Sequence, residues 1–161
     1  MELDQLESPE DAMAETVVVR AMRESDLDAV VKIDAASRGR RRPKYFEMMI
    51  EKNVKQAGMQ ISMVAEIDGR VVGFGLGTLY YGAFGIMEPS ASIEAIGVDP
   101  GSRRQHVAQA LMRQLRMQLR ALGVTTLRTE VAWGDFDLLA FFKKEGFAPA
   151  ARLCLECKLE D

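Results

Sequence analysis

The sequence predicts an α/β fold of the α+β kind: a mixed, mostly antiparallel central sheet of about six to seven strands flanked by about four helices. Three observations carry the prediction. Short β-branched runs and amphipathic stretches follow one another in the order β-α-α-β-β-β-α-β-α-β. Asp68-Gly69, the dipeptide that two-residue hairpin turns favour, joins two β-rich runs and makes the front half antiparallel. The back half reads strand, helix, strand, and such a crossover packs its helix onto a face of the sheet. Helices on both faces of one sheet are the natural packing for this order.

Each element has a local cause. Thr16 to Met22 is the first strand, built on Val17, Val18 and Val19. Ser25 is placed to cap a helix reaching Ala36, with Asp28 three residues on in a box-like arrangement. Leu27, Val30 and Val31 give that helix an apolar stripe, which Asp34 interrupts. After the basic loop Arg38-Gly39-Arg40-Arg41-Arg42-Pro43, a second helix starts near Lys44, with Phe46, Met49, Ile50 and Val54 three or four apart. Ile61 to Ile67 and Arg70 to Tyr80 are the hairpin strands. The second carries Gly73, Gly75 and Gly77 at period two, so one of its faces has almost no side chain. Either a packed helix or a ligand must come close there, the helix being the plainer reading. Ala91 to Val98 is a strand. Arg103 to Leu122 is a helix with Val107, Leu111, Leu115, Leu119 and Leu122 on one face and Gly123 as its stop. Val124 to Val131 is a strand, Asp135 to Glu145 a helix ending at Gly146, and 151 to 159 the last strand.

Bulk composition narrows the class. A chain of 161 residues is the usual size of one domain, so residues 16–161 are expected to form one. The preceding residues 1–15 carry Glu2, Asp4, Glu7, Glu10, Asp11 and Glu15 and no base. Such a tail buries too little apolar surface to offset its ordering entropy and is expected to be flexible. It has neither the basic start nor the apolar run of a secretory signal. No apolar run approaches the ~20 residues of a membrane span. The expectation is a soluble, cytoplasmic protein without a membrane partner. The net charge of −3, and arginines with no aromatic residues between them, argue against a nucleic-acid surface. Cys154 and Cys157 have C-x-x-C spacing, but Leu153, Leu155, Cys157 and Leu159 alternate with polar neighbours as in a half-buried strand. Residues three apart on a strand face opposite ways, so the sulfurs would not meet. With one histidine in the chain, no metal site is expected.

The chemistry concentrates between Ile93 and Met112. Helix N-termini favour Asp or Glu, yet the first turn after Ser102 offers Arg103, Arg104 and His106, and no acid lies between Pro100 and Gly123. Free N–H groups, the helix dipole and two arginines make a phosphate site; the plainer reading is a Ser102-capped helix with an exposed basic start. The strand before it is apolar on both faces except for Glu94, and a carboxylate there must be paired or face a wet cleft. Gly97 lacks a side chain where strand meets loop, which allows a bulge or a close ligand approach.

The string Ile93-Glu94-Ala95-Ile96-Gly97-Val98-Asp99-Pro100-Gly101-Ser102-Arg103-Arg104-Gln105-His106-Val107-Ala108-Gln109-Ala110-Leu111-Met112 resembles the signature of the GNAT superfamily of N-acetyltransferases. That signature runs hydrophobic strand, V-x-P, Q/R-x-x-G-x-G/A, apolar pair, and Val98, Pro100, Arg103, Ala108, Leu111 and Met112 fall on its key positions. The closing Phe141-Phe142-Lys143-Lys144-Glu145-Gly146-Phe147 resembles the family's F-Y-x-K-x-G-F. The resemblance covers roughly Thr16 to Leu159. Three departures stand out: His106 for the central glycine, Phe142 for a tyrosine that often protonates the leaving thiolate, and Trp133 for a frequent asparagine. Glycine at the first of these is compulsory only where φ is positive.

The resemblance implies an acetyl-CoA-dependent N-acetyltransferase acting on a primary amine in a ternary complex. Acetyl-CoA would lie between the strand ending at Val98 and the strand from Val124. Ile96, Gly97 and Val98 would meet its pantetheine arm, and the Ile96 N–H would polarise the thioester carbonyl. Arg103, Arg104, Gln105, His106, Val107 and Ala108 would hold the pyrophosphate. Phe142 would line the thiol end or simply pack the core. In its place water, Tyr80 or Tyr81 would protonate the leaving thiolate. Glu94 is the candidate general base; its plainer role is an ion pair with Arg128. The loop from Arg38 to Lys44 would hold an acidic acceptor or the cofactor's ribose phosphate, or be solvated. The acceptor is an amine-bearing small molecule or protein, and a homodimer is compatible with the family. Two other functions compete: a non-catalytic acyl-CoA-binding or regulatory module, and an interaction domain docking an acidic partner through the basic loop.

Overall fold

The Asp68-Gly69 turn forms as the sequence predicts in a computed structural model of the chain, which describes residues 17–160. Both turn residues have positive φ, 50° and 74°, the twist that matches right-handed strands. They join β2 (Met63–Ile67) to β3 (Arg70–Tyr80). β1 (Val18–Ala21) pairs with β2, and β4 (Ser90–Val98) with β3, all antiparallel; β5 (Thr126–Thr129) adds to β4 in parallel. The sheet order is β1-β2-β3-β4-β5. The acidic segment expected at 1–15 lies outside the described residues.

The described chain falls into two compact units, the first ending at Glu130 and the second beginning at Val131. In the first, α1 (Leu27–Arg38) and α2 (Pro43–Ile50) cover one face of the sheet. Val30, Val31, Ile33, Phe46, Met49 and Ile50 pack there on Val64, Phe74, Leu76 and Ala95. α1 is not capped by Ser25. A short 3-10 turn, Glu24–Asp26, leads into it, and the Asp26 carboxylate accepts the Arg23 N–H at 2.7 Å while two nitrogens of Arg20 hold it at 2.8 Å. α2 continues into a π-helical turn, Glu51–Lys55.

The opposite face belongs to α3 (Val107–Ala121), which accounts for Gly73 in the glycine row of β3. A Cβ on Gly73 would sit 2.6 Å from Val107 Cγ1 at the start of α3, and one on Gly77 would sit 2.8 Å from Ile61 Cδ1. The close neighbour is a helix and a strand-flanking isoleucine. α3 begins four residues later than Arg103, the start predicted from the sequence, because Pro100–Ser102 form a 3-10 turn and His106 has φ +56°. A left-handed residue cannot lie inside a right-handed helix.

In the second unit α4 (Phe136–Lys144) is capped by Asp135, whose Oδ1 accepts the Leu138 N–H at 3.2 Å. Phe142 is buried and packs against Phe141 and Phe147, with ring centroids 5.2 and 4.8 Å away. Residues 151–160 form no strand. Among the described residues the sheet therefore has five strands rather than six or seven, while its mixed, mostly antiparallel character and the four helices are as predicted. Alternation marks which residues would share a face, but a strand exists only when a neighbour takes up its N–H and C=O groups, and none does among the described residues. Cys154 and Cys157 are exposed and free, so the opposite-faces reasoning loses its strand. Among the described residues no group of acidic, histidine or cysteine side chains could hold a metal, and no helix is long and apolar enough to cross a membrane.

Candidate active site

β4 outruns its parallel neighbour. Pairing with β5 covers Ser90 to Ile93 and stops there, where Thr129 Oγ1 donates to the Ile93 carbonyl at 3.0 Å. From Glu94 to Val98 no strand of this unit lies on that side. The register with β3 decides which main-chain groups face the gap. Asp99 N–H donates to the Val72 carbonyl at 2.7 Å, so this is a hydrogen-bonded pair. In an antiparallel ladder such pairs alternate, which makes Phe74–Gly97 the next one and leaves Gly73–Val98 and Gly75–Ile96 unbonded. The N–H and C=O groups of Ile96 and Val98 therefore point away from β3, into the gap. A linear amide chain with donors and acceptors of its own is what such an edge can pair with.

Gly97 has a different reason from the one its position suggests. A Cβ there would meet the Phe74 ring at 2.7 Å, so the glycine accommodates core packing under α1. The bulge lies three residues earlier. Ala95 pairs with Leu76 and Ile93 with Gly77, leaving Glu94 as the extra residue of β4. The extra residue changes the alternation, so Ile93 and Ile96 both face α3, while Glu94 follows Ala95 to the face of α1 and α2.

On that face Glu94 is exposed, but its carboxylate is fixed. Tyr80 Oη donates to Oε1 at 2.9 Å and Ser92 Oγ donates to the same oxygen at 2.5 Å. It makes no ion pair with Arg128 among the described residues, so the structural role anticipated for it is absent. Burial raises the Tyr80 pKa, with the hydrogen bond to Glu94 adding and one with Ser92 opposing. Sequence reasoning considered Tyr80 for protonating a thiolate; its hydroxyl is instead committed to Glu94. Tyr45 on α2 is pushed up by burial first, with Arg42 opposing and Glu94 and Asp34 adding. Neither Tyr80 nor Ser92 carried a sequence signal as a partner of Glu94.

Beyond Val98 the chain turns through Pro100–Ser102 into the start of α3. Ser102 is buried, and Arg103 and Arg104 are exposed, with one Arg103 nitrogen 3.1 Å from Ser37 Oγ at the end of α1. Gln105 and His106 are half-buried, Val107 is buried and Ala108 is half-buried. The first four N–H groups of a helix have no acceptor within it, and no carboxylate occupies the first turn of α3. Dipole, free donors and two guanidinium groups together suit a polyanion. His106 matters more than the sequence suggested. Its φ is positive, the conformation for which glycine is the unstrained choice.

The basic loop is divided. Asp34, which interrupts the α1 stripe, is buried and accepts from Arg42 at 2.8 and 2.9 Å and from Arg38 at 3.1 Å. Arg42 also lies over the rings of Tyr45 and Phe46. Two arginines thus satisfy one buried carboxylate, leaving Arg40, Arg41 and Lys44 exposed.

The sequence model of the acetyltransferase (GNAT) family matches residues 27–147 of the chain. Among solved structures it is similar to Ard1 from Thermoplasma volcanium at 25% identity, over 84% of this chain and 85% of that one, with a TM-score of 0.71. It is similar to the ribosomal-protein-S18-alanine N-acetyltransferase from Escherichia coli at 22% identity, over 84% and 79%, with a TM-score of 0.69. It is also similar to the aminoglycoside N-acetyltransferase AAC(6')-Iy in complex with CoA at 19% identity, over 88% and 94%, with a TM-score of 0.73. At the two lower identities the likeness speaks for the fold alone. Comparison with curated protein sequences returns no match.

Proposed function

The chain belongs to the acetyltransferase (GNAT) family, and from that premise we propose that it transfers the acetyl group of acetyl-CoA directly to a primary amine. One continuous piece of main chain carries the reading. β4 leaves β5 at Ile93, presents unpaired main-chain groups at Ile96 and Val98, and runs into an acid-free, arginine-bearing helix start. A gap lined by peptide groups suits the amide-containing arm of coenzyme A, and the helix start suits its pyrophosphate. The two lie in the order in which the cofactor carries them.

In this reading, N–H groups between Arg103 and Ala108 hold the pyrophosphate, with Arg103 and Arg104 adding charge. Ile96, Gly97 and Val98 align the arm, and the Ile96 N–H donates to the thioester carbonyl, where a fixed donor acts without reorganising. Acetyl-CoA supplies the acyl group as a thioester. An alkyl ammonium has a pKa near ~10.4, so the acceptor must give up a proton before its nitrogen can attack. Glu94 takes that proton, directly or through a water, so that the neutral nitrogen can attack; the N–C bond then forms, the C–S bond breaks, and the nitrogen gives its second proton to water. With Phe142 where the related motif has tyrosine, the thiolate is protonated by water. Expelling a thiol of pKa ~8.5 as its anion at pH 7 forgoes about 2 kcal/mol of driving force. A general acid is typically worth ~10²–10⁴-fold, so its loss slows the reaction but leaves orientation and carbonyl polarisation in place.

The test is thiol release from acetyl-CoA with a panel of acceptors: peptide N-termini, lysine peptides, polyamines, amino acids and aminoglycosides. Turnover with at least one amine is expected, with kcat/KM lowered ~10²–10⁴-fold in Glu94→Gln. Stabilisation by coenzyme A without turnover would make the protein a non-catalytic acyl-CoA-binding module. Neither effect would leave an interaction domain.

A further inference from the structure

We propose that Tyr80 and Ser92 are positioning residues that pin Oε1 of Glu94 and so dedicate Oε2 to the incoming amine. The proposal rests on Glu94 being the general base and says how its carboxylate is aimed. A glutamate carboxylate offers about four lone-pair sites on a side chain with three rotatable bonds. Here both donors converge on one oxygen, Tyr80 Oη at 2.9 Å and Ser92 Oγ at 2.5 Å, and Oε2 has no hydrogen-bond donor among the described residues. Two donors on one oxygen fix the rotation of the group and leave the other oxygen as the place for an ammonium proton.

The donors are themselves held. Thr78, Tyr80, Ser92 and Glu94 share the α1–α2 face of the sheet, Thr78 opposite Ser92 and Tyr80 opposite Ser90 in the β3–β4 register. Thr78 Oγ1 reaches the buried Asn53 Oδ1 on the π-helical turn at 3.0 Å, anchoring the row at its inner end. Ser92 and Glu94, two apart on β4, share this face by alternation, and the bulge then brings Ala95 to the same face beside Leu76. Burial raises the Tyr80 pKa, with a hydrogen bond with Ser92 opposing and the Glu94 carboxylate adding, which favours the protonated phenol as donor. Tyr45 of α2 also feels Glu94, and among the described residues Arg128 of β5, opposite Ser92 in register, makes no ion pair with it.

The experiment uses the full chain, acetyl-CoA and one amine that the wild type acetylates. Tyr80→Phe and Ser92→Ala should each lower kcat about 10-fold and together about 100-fold. KM for acetyl-CoA should stay unchanged, and melting temperatures serve as the folding control. Ser92→Thr keeps the hydroxyl and should keep the rate. In a Glu94→Gln background the same two substitutions should have no further effect. A double variant with wild-type kcat, beside an impaired Glu94→Gln, would overturn this inference alone, as would losses that simply add to that of Glu94→Gln. A Glu94→Gln enzyme with wild-type rates would overturn the base assignment and this inference with it.

Discussion

His106 holds a backbone conformation that only glycine adopts without strain, and replacing it by glycine relieves that strain. The residue sits at φ 56° and ψ 31°, immediately before the first residue of α3. For an L-residue the left-handed region costs roughly 1–2 kcal/mol, somewhat less for histidine, which visits it more than most. Glycine pays no such cost but gives the unfolded chain more freedom, worth roughly 0.4–1 kcal/mol against it. The balance is a gain of about 0.5–1 kcal/mol for His106→Gly. For a chain of 161 residues that corresponds to about 1–4 °C in Tm. The His106 N–H survives the change, so coenzyme A affinity should stay within about threefold. His106→Ala supplies the control, because alanine keeps the strain and loses histidine's tolerance of it; it should melt below the wild type. Thermal melting of the three proteins, with calorimetry of coenzyme A binding, checks both halves. A glycine variant less stable than the alanine variant would refute the positive-φ reasoning, and a tenfold loss of affinity in it would give the imidazole a role beyond its backbone.

Two glycines on the same face of β3 should respond oppositely to alanine. At Gly73 the new methyl meets Val107 at 2.6 Å, displacing the start of α3 and costing about 1–3 kcal/mol with weaker coenzyme A binding; at Gly75 nothing lies within 4 Å and a void of about 10 Å³ adjoins it, so Gly75→Ala should be neutral or gain up to ~1 kcal/mol by melting. Asp26 should make stability acid-sensitive. Burial opposes its charge, but hydrogen bonds from Arg20 and the Arg23 N–H prevail and hold its pKa below the usual carboxylate range. A carboxylate whose folded pKa is depressed stabilises fully above its unfolded value, about 3.9, and that stability is lost as pH falls through the folded value. Asp26→Asn should cost about 2 kcal/mol at pH 7, with the difference from wild type shrinking below pH ~4 in urea melts.

Much of the fold was legible because its causes are local. Asp68-Gly69 announces its own turn, the stripe from Val107 to Leu119 announces α3, and Gly73 with Gly77 announced a close neighbour. Asp34 was visible as a misfit, and Arg38 stands one helical turn from it; Arg42 completes the cluster only after the chain has turned at Gly39. The site was legible as a stretch of chain but not as a geometry. His106 disguises a left-handed residue as ordinary helix, so the helix start was placed four residues early. Gly97 drew attention as the place for a bulge, whereas the bulge at Glu94 leaves no compositional mark and follows from the pairing of two strands. Tyr80 meets Glu94 from another strand, fourteen residues away, which no local spacing encodes. Residues 151–159 show the converse failure, because alternation describes a strand that a partner must complete.

Calorimetric titration of coenzyme A into the wild type and Ala108→Glu tests most directly whether the start of α3 is the pyrophosphate site. Ala108 is the second residue of α3 and half-buried, so the helix should tolerate glutamate, while the added carboxylate would stand among the N–H groups meant for the ligand. One coenzyme A per wild-type chain is expected, with a melting shift worth ~2.7 kcal/mol at 100 times Kd. Ala108→Glu should melt as a folded protein and give no binding heat. A wild type that takes up no coenzyme A at millimolar concentration, or an Ala108→Glu variant that binds it equally well, would contradict the assignment.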